Sequence, residues 1–143
     1  MSDPFDLQRF VDAQNPVWDT VLAELAAGRK RGHWIWYVYP QLRGLGMSHK
    51  SDYYGITGLD EAQAYLDHTV LGPRLKDSLW RLLAHTDKSA FEILGVLDMW
   101  KLRSCLTLFE QADPTSPVFP LAISQFFSGN RDSSTQHLLR SLA

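Results

Sequence analysis

The chain has 143 residues, 45% hydrophobic and 21% charged, which excludes long-range disorder and fits a single domain over 1–143. A domain of that size buries about two-thirds of its unfolded surface and needs no metal or disulfide to fold, and the lone Cys105 excludes an internal disulfide and suits a reducing compartment. The N-terminus, Met1-Ser2-Asp3-Pro4-Phe5-Asp6, lacks an apolar signal region, and no run of about 18 apolar residues occurs, so the expectation is a cytoplasmic protein with no membrane span.

Asp3-Pro4 reads as the start of a first helix carrying Phe5, Phe10 and Val11. Asn15-Pro16 is a cap followed by proline in the first turn. Val17, Val21, Leu22 and Leu25 then make a helical stripe that Gly28 stops. The run His33-Trp34-Ile35-Trp36-Tyr37-Val38-Tyr39 has strand-like composition. No comparable partner strand exists, so its backbone is better satisfied as a short buried helix ended by Pro40. Residues 41–58 read as a long loop with one short turn. Thr57 is expected to cap a helix with Asp60 and Glu61 in its first turn.

A second start lies near His68-Thr69, and Leu71, Leu75, Leu79, Leu82 and Leu83 repeat at helical spacing. Ser89 opens a short helix closed by Gly95, Asp98 is expected to cap the next, and Ser116-Pro117 opens another that ends at Gly129. Asp132 or Ser133 starts the last. The expected fold is all-α, about seven or eight short helices packed on one another, with no strand-rich half.

The charge of −2 is unevenly spread. Between residues 28 and 54, five cations stand against Asp52 alone, a local +4 that leaves −6 for the rest. Such a field suits a small anionic ligand better than an extended DNA footprint. The sequence lacks a GxxxxGK[ST] phosphate loop and a GxSxG elbow, and Gly44-Leu45-Gly46 follows no convincing strand. The five histidines show no metal-ligand spacing, so neither a metal nor a cofactor is expected.

Three stretches carry the chemistry. In the first, Arg29, Lys30, Arg31, His33, Trp34 and Trp36 put cations, a candidate base and two indoles close together. Cations bind phosphates, indoles stack on bases or pack a core, and a histidine beside cations is a candidate neutral base. In the second, Gln41, Arg43 and Ser48 offer an amide, a guanidinium fork and a hydroxyl on a glycine-containing loop, with Tyr54 as a further stacking or core residue. The third is Asp98-Met99-Trp100-Lys101-Leu102-Arg103-Ser104, where Asp98 and Lys101 lie three apart and pair on one helix face.

The segments Gly28-Arg29-Lys30, His33-Trp34-Ile35-Trp36, and Tyr39-Pro40-Gln41-Leu42-Arg43-Gly44-Leu45-Gly46-Met47-Ser48 resemble the signature of the bacterial and fungal domain-of-unknown-function family 1810. Phe10 to Gln14, Leu71-Gly72-Pro73-Arg74-Leu75, and Asp98 with Lys101 to Phe109 extend the likeness in the right order. The resemblance implies a small α-helical protein. Some members bear the name calpastatin, but calpain inhibitors of that kind are long and disordered, unlike this composition. A more distant resemblance, through Lys101 to Phe109 and the Gly-Arg and Trp segment, is to the NADAR family of helical proteins associated with ADP-ribose chemistry.

The expectation is therefore a nucleotide-like anion as ligand. One reading is an ADP-ribose-related N-glycosidic hydrolase with Lys101, Asp98 and His33 as catalytic candidates. Arg29, Lys30, Arg31, Trp34, Trp36, Gln41, Arg43, Ser48 and Tyr54 would then bind the ligand. The others are a non-catalytic binding module for peptide, nucleotide or RNA, and a structural protein whose tryptophans are core; whether the chain is an enzyme stays open.

Overall fold

Caps, glycines and prolines cut this chain into helices too short to stand alone, so each is stabilised by the apolar face it buries. The computed structural model describes residues 2–142; Met1 and Ala143, the ends of the expected domain, lie outside them. The elements are α1 (Gln8–Gln14), a 3-10 turn (Asn15–Val17), α2 (Trp18–Ala27), α3 (Ile35–Val38), α4 (His49–Tyr53), α5 (Leu59–Asp67), α6 (Leu71–Leu83), α7 (Ala90–Leu94), α8 (Val96–Ala112), α9 (Val118–Phe127) and α10 (Ser133–Leu142). The fold is all-α. The helices outnumber the expected seven or eight because α3, α4 and α7 are pieces of only four or five residues.

Several ends fall where the local chemistry directs. Gly28 closes α2 in the left-handed region, at φ +69°. Ser89 and Glu92 form a reciprocal capping box at α7. The Asp132 carboxylate accepts from the N–H of Thr135 at 2.9 Å and starts α10. Other starts differ from expectation. The first helix begins at Gln8, because Asp3 accepts from the N–H groups of Leu7 (2.8 Å) and Gln8 (3.0 Å) across an intervening turn. Gly58, not Thr57, precedes α5; the Thr57 N–H and hydroxyl both donate to Glu61 at 2.9 Å. Likewise Gly95, not Asp98, is the cap of α8. His68 uses its ring: Nδ1 accepts from the N–H groups of Val70 and Leu71 at 3.1 and 3.2 Å.

Helix α8 is the axis of the packing. It contacts α3, α5, α7, α9 and α10, and Leu102, Cys105, Leu106, Leu108 and Phe109 along it are buried. An aromatic line runs through this core: Phe10 to Tyr65 at 5.1 Å, Tyr65 to Phe109 at 5.3 Å, Phe109 to Phe119 at 6.1 Å. Burial pushes the Cys105 thiol well above its ordinary range. The regular leucine stripe of α6 is the face that packs on α2, α5 and α9.

The 41–58 stretch is pinned at both ends. Arg43 N–H donates to the Ile56 carbonyl and Ile56 N–H to the Gln41 carbonyl, both at 2.9 Å, an isolated parallel bridge. Buried Arg9 pairs with Glu61 at 2.8 Å and also donates to the carbonyls of Phe5, Asp6, Tyr53 and Gly55. One guanidinium thus ties α1 to this loop and to α5.

Gly72 marks the closest approach of α6 to the preceding chain, since a Cβ there would strike the Leu66 carbonyl oxygen. Gly72→Ala is expected to lower stability by about 1–3 kcal/mol through overpacking, seen as a lower urea midpoint. An unchanged midpoint would show that α6 slides on α5 without cost.

Candidate functional site

After Gly28 the chain reverses, and a single carboxylate holds the reversing segment in place. Glu24 Oε1 accepts from the N–H groups of Arg31 (2.7 Å) and Gly32 (2.9 Å) and from the Trp34 indole N–H (2.9 Å). Burial alone would raise the Glu24 carboxyl, but these three donors outweigh it and hold it below its ordinary value of 4.5. Trp34 is 1% exposed and packs edge-on to Tyr39 at 5.9 Å. It is core, and its expected place in a ligand site is corrected by that burial.

Lys30 turns inward. Its ammonium meets Asp98 Oδ2 at 2.6 Å and lies 5.0 Å from the Trp34 ring centroid. Asp98 Oδ1 faces Lys101 Nζ at 3.5 Å, and that ammonium sits 4.8 Å from the Trp36 ring centroid. Asp98 therefore joins the first and third of the sequence stretches, in the first turn of α8 where the helix dipole favours a carboxylate.

Beyond Lys101 opens a cleft of about 410 Å³. Trp36, Gln41 and residues 45–48 form one side; Trp100, Lys101 and Ser104 of α8 form another; Asp132 and Ser134 at the start of α10 complete it. Gln41 is only 8% exposed. Its side chain borders the cleft, and its amide is not among the fully enclosed polar groups left without a partner. Ser48 also caps α4, accepting from the Ser51 N–H at 3.1 Å. The Asp132 carboxylate is engaged by Thr135 and by Arg103 at 3.2 Å.

Trp100 is a shared wall. It borders this cleft and also a neighbouring hollow of about 270 Å³ that includes Phe91, Arg103, Phe126 and Phe127. The Arg103 guanidinium lies 4.5 Å from its ring centroid and Phe127 at 6.4 Å. Neither lines the cleft.

The structure brings together Lys101, Trp36, Gln41 and Ser48, with Lys30 and Asp98 behind them. It does not bring the arginines there. Arg29 and Arg31 are exposed and border a different hollow with Glu24 and Lys88. Arg43 is exposed and donates to the Asp52 carbonyl at 3.1 Å, beside a third hollow. Tyr54 packs in an aromatic group with Phe10 (5.9 Å), Tyr37 (5.3 Å) and Tyr53 (4.8 Å), and burial raises its hydroxyl. His33 is exposed and outside the cleft lining. The expected phosphate clamp of Arg29, Arg31 and Arg43, the stacking role of Tyr54 and the catalytic placement of His33 are corrected accordingly.

The residues missed from sequence are Trp100, Ser104, Asp132 and Ser134. Trp100 and Ser104 lie within the third stretch, where neither had a role of its own; Asp132 was legible only as a helix start, and Ser134 gave no signal. Among the described residues no group of three His, Cys, Asp or Glu side chains is placed to hold a metal ion, and no helix is long and apolar enough to cross a membrane.

Because the folded-state Glu24 carboxyl titrates low, its stabilising contribution is present above the ordinary value of 4.5 and is lost as pH falls through the folded value. Glu24→Gln is expected to cost about 1.5–3 kcal/mol at pH 7. The gap to wild type should narrow in acid. Denaturant midpoints at pH 7 and pH ~3 check this; a gap independent of pH would refute the role of the charge.

The family model described as "Protein of unknown function (DUF1810)" matches residues 4–139. The chain is similar to the crystal structure of the conserved hypothetical protein Rv1873 from Mycobacterium tuberculosis, at 48% identity over 96% of this chain and 99% of that one, with a TM-score of 0.95. A comparison with curated proteins finds no match. The NADAR resemblance is not shown by these findings.

Proposed function

We propose that this chain, which belongs to the DUF1810 family, binds a small planar anion of nucleotide-like chemistry in the cleft between the 41–48 loop, α8 and the start of α10. The observation that supports this reading is the meeting of Lys101, Trp36, Trp100 and the Gln41 amide around one opening. The Gln41 amide offers both a donor and an acceptor to a ligand in that opening. An indole offers a face to any flat ring, and an ammonium in a partly desolvated cleft attracts an anion more strongly than it would in bulk water. Volume supports a small ligand, since such sites run about 300–1,000 Å³.

The same geometry favours binding over N-glycosidic hydrolysis. Hydrolysis needs a group free to take or give a proton. Both carboxylates at or behind the cleft are already engaged: Asp98 by Lys30 and Lys101, Asp132 by Arg103 and Thr135. A cytoplasmic setting is part of this reading, where a nucleotide pool and a reduced Cys105 both fit.

Calorimetric titration with AMP tests the proposal. Saturable binding is expected, weakened about tenfold or more by Lys101→Ala and by Gln41→Ala, the scale of one lost charge-assisted or buried hydrogen bond. Arg43→Ala should leave it unchanged. Absence of saturable binding, or equal weakening by Arg43→Ala, would reject the cleft as the site.

A further inference from the structure

The charges around the cleft do not match every nucleotide equally. Lys30, Lys101 and Arg103 stand against Asp98 and Asp132, a net of +1 from the groups that line or back the opening. A phosphate monoester carries about −1.5 to −2 at pH 7. A pyrophosphate link carries its charge over a longer span, and a second group of donors or cations would have to meet its far phosphate. The arginines that would supply one border other hollows, Arg29 and Arg31 on one and Arg43 on another.

Donors for one phosphate are present in the cleft itself. Lys101 supplies an ammonium. The first turn of the ten-residue α10 presents Ser134 to the opening. The Asp132 cap takes the Thr135 N–H, so the Ser133 and Ser134 amides keep their orphan donors. On the opposite side, the Gln41 amide offers one donor edge and one acceptor edge, the pattern a base edge requires. Trp100 also lines the cleft, and its cation and aromatic partners, Arg103 and Phe127, belong to the neighbouring hollow. Its cleft side is left for a ring.

We infer that the ligand is a nucleoside monophosphate, with its single phosphate at Lys101 and the α10 amides, its base on Trp100, and the base edge read by Gln41. This inference rests on the cleft reading above and narrows it to one phosphate.

Titration of the full chain with the common nucleosides, their monophosphates, ADP and ADP-ribose tests it, read by calorimetry and by indole fluorescence. The best monophosphate should bind at least about tenfold tighter than its nucleoside, as one charge-assisted phosphate contact implies. ADP and ADP-ribose should bind no tighter than AMP. Lys101→Met should abolish the phosphate advantage while the nucleoside's own affinity stays within about twofold. Gln41→Leu should weaken nucleoside and monophosphate in parallel.

Equal affinity for nucleoside and monophosphate would overturn the phosphate assignment while leaving the cleft standing. So would ADP or ADP-ribose binding about tenfold tighter than AMP. If neither nucleosides nor monophosphates bind, the cleft reading fails and this one fails with it. Circular dichroism of both variants separates loss of binding from loss of fold.

Discussion

Two ammonium groups share one carboxylate at the start of the longest helix, and the rest of the arrangement around the cleft depends on that. Lys30 comes from the turn after α2 and has its ammonium buried. A buried ammonium persists only with a counter-charge and satisfied donors. Asp98 supplies the charge, and the Gly32 carbonyl takes a further hydrogen bond. Asp98 is itself favoured by its place in the first turn of α8. With one oxygen committed to Lys30, its other oxygen orients Lys101 over Trp36. Position thus passes from the end of α2, through α8, to the mouth of the cleft.

Around that axis the architecture is economical in polar contacts. Glu24 holds three N–H groups of the reversing segment, and Arg9 collects four carbonyls and a carboxylate around the end of the 41–58 loop. Each fixes an irregular stretch whose backbone groups would otherwise lack partners. Between these two clamps lie α3 and the 41–58 loop, which carry Trp36, Gln41 and Ser48. The side of the cleft with the least regular backbone is thus held by a hydrogen-bonded charge at both ends.

Much of this was legible in the sequence, for reasons that differ by element. The leucine stripe of α6 repeats with the helical period, so its core face could be read directly. The aromatic run at 33–39 could be taken as a helix because no partner strand existed. The capping box at Ser89 and the stop at Gly28 are local events among neighbouring residues. Asp3, Thr57 and Asp98 misled in position: Asp3 reaches the start of α1 from across a turn, Thr57 donates to the Glu61 carboxylate from one residue before the cap, and Asp98 pairs with two lysines from inside α8. The site was half legible. Lys101, Trp36, Gln41 and Ser48 border one cleft, but the basic run 29–31 is not helical and sends Lys30 inward and its two neighbours to solvent. Asp132 and Ser134 arrive from about ninety residues beyond the loop, a juxtaposition that tertiary packing alone creates.

The burial of Cys105 gives the molecule an internal clock. The thiol is fully enclosed in the middle of α8 and protonated by its surroundings, so an alkylating reagent cannot reach it in the closed state. Reaction requires that α8 part from the helices packed on it. With reclosing fast relative to alkylation, the labelling rate then reports the population of the opened chain. No second cysteine exists to blur that signal. A ligand that bridges α8, α10 and the 41–48 loop would slow the clock in proportion to its occupancy, which turns the least reactive side chain in the fold into a gauge of events in the cleft.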